Sequence, residues 1–106
     1  MTVTVVRALD KITARSRLIE LPEGRPVRFG TLEILARHCE SRPPEEEPET
    51  AAFLEIWDNR GGRHDKIFSG WMLASSPALH ALEHPVYDLW VIACKTAAPD
   101  ASSGRR

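Results

Sequence analysis

Cysteine is scarce in this chain of 106 residues: there are two, Cys39 and Cys94, and no C-x-x-C pair, so a thioredoxin-like redox motif is excluded. No run approaches 18 apolar residues, so no transmembrane helix is expected. Charge of one sign is missing too. The 14 Lys/Arg against 15 Asp/Glu give a net charge of −1 and no overall basic field to attract nucleic acid. Aromatic residues make up 7% of the chain. Single-strand binders interleave several aromatics with several cations. The nearest approach here, Arg28-Phe29-Gly30 with Arg25, has one Phe, which reads as core filling. Gly61-Gly62 is not followed by Lys-Ser/Thr, so it is no phosphate loop. Internal repeats are absent.

What is present is ordinary for one globular domain: 42% hydrophobic and 27% charged residues. The charge is unevenly spread. Residues 1–37 hold seven Lys/Arg against four Asp/Glu, and residues 40–50 hold five Glu against one Arg. That asymmetry either orients a partner or folds the acidic loop back onto the basic half. The opening Met1-Thr2-Val3-Thr4-Val5-Val6-Arg7 is too short and polar for a signal peptide. It fits a cytosolic protein or a mature chain restarted with Met1.

Val/Thr-rich alternation predicts a strand over Thr2 to Leu9, a turn at Asp10-Lys11, and a second strand over Thr13 to Leu21. Pro22-Glu23-Gly24 reads as a turn. Val27 to Cys39 is a third extended stretch, with Gly30 marking a bulge or bend and Leu32, Ile34 and Ala36 sharing one face. Residues 40–50 form an acidic, Pro-rich loop, since three prolines and five glutamates do not suit a central strand. Strands follow over Ala51 to Trp57 and Lys66 to Leu73, around a turn at Asp58 to Gly62, with Trp71 expected in the core. Ser76 as N-cap and Pro77 as first helical residue predict one short helix near residues 77–83. Pro85 ends it. Val86 to Lys95 is the last strand, with Val86, Trp90, Ile92 and Cys94 on one face, and residues 96–106 read as a disordered tail. The expectation is a mainly β fold: a single domain over 1–95, an antiparallel β-sandwich or small barrel of about six strands with one short helix.

Each cysteine ends a predicted strand. The two either bridge or remain free buried thiols, and the residues alone leave both readings open. A bridge would close a loop of roughly 55 residues, worth about 4 kcal/mol, and would imply an oxidising compartment.

No constellation carries catalysis. His80-x-x-x-His84 has zinc-like helix spacing, but Pro85 interrupts the helix and no glutamate lies between them, so surface or capping histidines are expected and no metal. Ser75 and Ser76 with His80 and Asp88 lack any nucleophile elbow, and Ser76 is better explained as a cap. No enzyme and no cofactor are expected.

Three blocks carry a resemblance. They are Arg7-Ala8-Leu9-Asp10-Lys11-Ile12-Thr13; Arg42-Pro43-Pro44-Glu45-Glu46 running on to Ala52-Phe53-Leu54-Glu55-Ile56; and Phe68-Ser69-Gly70-Trp71-Met72 through Ser75-Ser76-Pro77-Ala78-Leu79 to Glu83-His84-Pro85-Val86-Tyr87-Asp88-Leu89-Trp90. The chain resembles the alphaproteobacterial family known as domain of unknown function 2155, over residues 7 to 95. Members look exported. The resemblance therefore implies a Cys39–Cys94 disulfide and a periplasmic location. It also implies a non-catalytic accessory role on the periplasmic side of a membrane complex, with the respiratory NADH:quinone oxidoreductase as the expected partner.

The expected docking residues are Arg42, Pro43, Pro44, Glu45, Glu46 and Glu47 in the acidic loop, and Trp71, His84, Tyr87 and Trp90 in the later block, since aromatics and Arg anchor such contacts. The alternative is a small-molecule binding domain in which Trp57, Trp71 and Trp90 line a barrel mouth for an apolar ligand or saccharide. A concave aromatic pocket would favour that ligand, and a flat apolar patch would favour a protein partner.

Overall fold

The computed structural model describes residues 1–42, 49–76 and 82–96. They form eight strands: β1 (Thr2–Asp10), β2 (Arg15–Pro22), β3 (Val27–Phe29), β4 (Leu32–Ser41), β5 (Thr50–Arg60), β6 (Arg63–Leu73), β7 (Leu82–Glu83) and β8 (Tyr87–Thr96). Two antiparallel four-stranded sheets result, ordered β2-β1-β8-β7 and β3-β4-β5-β6. They face one another as a sandwich. Val6, Ala8, Ile19, Leu21, Leu89 and Val91 of one sheet meet Leu32, Ile34, Ala36, Leu54, Ile56 and Met72 of the other. The alternation of apolar and polar residues along each strand puts these on the inner faces.

Several expectations are corrected. The stretch from Val27 is two strands, not one. Gly30 sits at φ 61° in the turn between β3 and β4, where a side chain is disfavoured. Among the described residues there is no helix: Leu82–Glu83 is a short strand beside Leu89 and Asp88 of β8. Residues 77–81, with His80, lie outside the described residues, as do Pro43 to Pro48 of the acidic loop and the tail 97–106. Asp58, expected in a turn, is inside β5, because the turn is the tight Gly61-Gly62 pair, both at positive φ, and β5 and β6 stay paired through Arg60 and Arg63.

Trp90, Ile92 and Cys94, expected on one face of β8, are split between its two faces. Tyr87, Leu89 and Val91 point inward, while Trp90 is half-buried and Ile92 exposed. The reason is a bulge. Val5 pairs with Ala93 and Val6 with Val91, so Ile92 is an extra residue. Past it the alternation is reset, and Cys94 falls opposite Thr4, which is buried. A second bulge does the same on β4. Ala36 pairs with Leu54 and His38 with Phe53, leaving Arg37 extra, so Cys39 falls opposite the buried Ala52. Unbroken alternation from Ala36 and Val91 would turn both cysteines outward. The two bulges bring them to the inner faces of opposed sheets, where they are bonded with a Cα–Cα separation of 5.8 Å.

Candidate functional site

All long strands run between the same two ends of the sandwich. The disulfide closes one end. At the other, a buried polar group fastens the two sheets. Asp58 of β5, 4% exposed, accepts a hydrogen bond from the Thr31 hydroxyl at 2.7 Å. Its other oxygen accepts from His84 Nε2 at 2.8 Å and pairs with Arg60 Nε at 3.0 Å. His84, just before β8, is 8% exposed, and its Nδ1 accepts the Val86 amide at 3.0 Å. An acceptor at Nδ1 and a donor at Nε2 define a neutral imidazole in the Nε2–H form. Burial works to raise the Asp58 carboxyl; the bonds from Thr31 and His84 and the Arg60 charge outweigh it and hold the group below the usual carboxylate range.

The same end is closed by Tyr87 of β8. Its hydroxyl accepts the Thr31 amide at 3.4 Å, and its ring meets Phe29 edge-on, centroids 5.6 Å apart. A Cβ on Gly30 would fall on the Tyr87 hydroxyl, so glycine serves both the turn and this contact. His84 and Tyr87, expected as docking anchors, are therefore internal fastenings. Sequence reasoning missed Asp58 and Thr31 as members of this group. The one available signal was an Asp on the inward parity of an otherwise apolar strand, two residues after Ile56.

The cleft beside this group, about 480 Å³, is open and lined by Arg60, Arg63, Asp65 and Pro85. It presents no free base. Both His84 nitrogens are bonded, and Arg63 is paired with Asp65 at 3.2 Å. Ser75, weighed as a nucleophile, is hydrogen-bonded to Glu49, and that bond is the main cause that lowers the Glu49 carboxyl. Among the described residues no three of His, Cys, Asp and Glu stand close enough to share a metal.

The outer face of the β3-β4-β5-β6 sheet carries the aromatics. His38, Phe53 and Trp71 are in register across β4, β5 and β6. The Trp71 ring stands edge-to-face with Phe53 at 5.5 Å and with His38 at 5.9 Å. Trp71 is 47% exposed, not in the core, because the inward position beside it belongs to Met72 opposite Ala52. The next row is charged: Glu55 receives Arg37 at 2.8 Å and Lys66 at 3.3 Å, which, against the opposing pull of partial burial, lowers its carboxyl. Beyond it Trp57 stacks on His64 at 5.5 Å with Lys66 over its ring.

Trp90 is on the other sheet, in register with Arg7 and through it with Leu18. Among the described residues the three tryptophans thus line no common pocket, since Trp57 and Trp71 are on one sheet and Trp90 on the other. Arg42 is exposed at the end of β4, and its amide donates to the Glu49 carbonyl at 3.0 Å, closing the base of the acidic connection.

A family model described as "Uncharacterized protein conserved in bacteria (DUF2155)" matches residues 4–94. The chain is 31% identical over 88 residues to an uncharacterized protein, RP359, of Rickettsia prowazekii (strain Madrid E), covering 82% of this chain and 57% of that protein. It thus spans little more than half the length of that curated relative. No solved structure matches.

Proposed function

The chain belongs to the DUF2155 family of uncharacterized bacterial proteins, and from that premise we propose that it is a non-catalytic accessory domain of the periplasm that docks on a membrane protein complex. The observation that carries this reading is the aromatic row His38–Phe53–Trp71 in register on the outer face of the second sheet, with Trp71 47% exposed. Exposed aromatics beside paired charges are the usual composition of a docking centre with a polar rim. An outer sheet face favours a protein over a small ligand. The Cys39–Cys94 bond supports an oxidising compartment. The engagement of both His84 nitrogens supports a structural histidine over a catalytic one.

The partner rests on the family resemblance alone: the respiratory NADH:quinone oxidoreductase, approached from its periplasmic side. Affinity purification from detergent-solubilised membranes of the native host tests it. The unaltered domain should bring down the subunits of one membrane complex, and Trp71→Ala, which disturbs no core contact, should lose them. Recovery of a metabolite without any complex, or full recovery with Trp71→Ala, would defeat the reading.

A further inference from the structure

The β1–β2 turn lies at the end of the sandwich that Asp58 fastens, where Asp10 pairs in register with Tyr87 and Arg15. It holds Ile12 at 75% exposure. Beside it in the chain stand Lys11, which is paired with Asp88 at 3.4 Å, and Arg15 and Arg17. Among the described residues, Arg15 and Arg17 take part in no ion pair. The one acid of this segment, Asp10, is turned onto the backbone, where its Oδ1 accepts the Ile12 amide at 2.9 Å and the Thr13 amide at 3.2 Å. Behind the tip, the outer face of the sheet carries the row Leu18–Arg7–Trp90, with Leu18 54% exposed, whereas Arg15 and Arg17 have the parity of Ala8 and Ile19 on the other face.

The rest of the molecule is polarised to match. Segments 7–17, 28–33, 57–66 and 82–90, at the hairpin-tip end, contain eight Lys/Arg against six Asp/Glu, a net +2. The other described residues, toward the disulfide end, contain four Lys/Arg against five Asp/Glu, a net −1. The domain therefore has a basic end tipped by an apolar residue, and no matching excess of cations at the other end. Aliphatic and Trp side chains among Arg are the groups that sit at a bilayer interface, and the cations beside them select anionic headgroups.

We propose that the β1–β2 hairpin is a membrane-surface anchor that sets the domain, basic end down, on an anionic phospholipid bilayer. Ile12 enters the headgroup boundary, Arg15 and Arg17 pair with lipid phosphates, and the disulfide end points to solvent. The attachment is reversible and sensitive to salt, because few charges are involved and each is screened. It does not require the protein partner proposed above.

The test is co-sedimentation of the oxidised full chain with vesicles of phosphatidylglycerol and phosphatidylcholine, against phosphatidylcholine alone, at low ionic strength and at 0.5 M salt. Binding should be confined to the anionic vesicles, should fall about tenfold at high salt, and should fall at least as far in Arg15→Glu with Arg17→Glu. Ile12→Ser should weaken it without changing the unfolding temperature, since that side chain is in solvent. Equal binding to both vesicles, no binding to either, or binding that the hairpin variants leave intact would overturn the anchor. Because the vesicles contain no protein, these failures leave the docking of Trp71 on a complex untouched.

Discussion

A carboxylate with almost no solvent contact must find its stabilisation within the fold. Asp58 finds it in the Thr31 hydroxyl, His84 Nε2 and Arg60. Its folded pKa is depressed, so the stability it contributes is complete above the unfolded value of about 4 and is lost as pH falls through the folded value. Asn at this position keeps the shape and removes the charge. Asp58→Asn should therefore cost about 2 kcal/mol at pH 7, the range of two charge-assisted hydrogen bonds less their replacements. The gap from the unaltered protein should begin to narrow as pH falls below about 4 and should close only below the lower, folded value, where the native carboxyl is itself protonated. Urea unfolding of both proteins at pH 7, 5, 4 and 3 measures this. A gap of constant size would show that the negative charge is not its source.

At the scale of elements, the bulges decide where the cysteines point. Because Ile92 is the extra residue on β8, deleting it restores regular alternation and leaves Cys94 opposite Thr4. That deletion should keep the disulfide, with no thiol detectable in denaturant after oxidative refolding. Deleting Ile92 and Ala93 together changes the parity and turns Cys94 outward, and two thiols should appear. An intact bond in the double deletion would refute the parity argument. The same point marks how far the sequence can be read. Val, Thr and Leu alternation made β1, β2, most of β4 and an antiparallel β fold, sandwich or barrel, legible, because burial on one face imposes a period of two. What was not legible followed from single inserted residues and from pairing partners. Arg37 and Ile92 leave no mark in composition, yet they reset a face. Trp71 is exposed because Met72 holds the inward place. Asp58 looked like a turn residue until Gly61-Gly62 supplied the turn. His84 and Tyr87 were read as surface because Pro85 looked like the edge of a helix, whereas a two-residue strand, β7, draws that segment against β8.

At the scale of the whole molecule, β4 and β8 are fastened at both ends, by Cys39–Cys94 at one and by Thr31, Asp58, His84 and Tyr87 at the other. Seven residues of β4, Leu32 to His38, separate Thr31 from Cys39, about 25 Å at the rise of a strand. The two fastenings act on different states. The polar group lowers the energy of the folded sandwich, while the disulfide, closing a separation of 55 residues, chiefly restricts the unfolded chain. In the chain-entropy model that restriction is worth about 4 kcal/mol. For a domain of this size it corresponds to a loss of about 15 °C in Tm when both cysteines are replaced by alanine. Sites this far apart and sharing no partner should contribute independently. Combining Asp58→Asn with the double cysteine replacement should therefore give the sum of the separate losses to within about 0.5 kcal/mol. Chemical unfolding of the four proteins in the cycle tests this directly. Additive losses mean that the sandwich opens as one cooperative unit with both ends intact until it does. A combined loss well below the sum means that one end already frays once the other is released, and the sheets then part stepwise from the cysteine end.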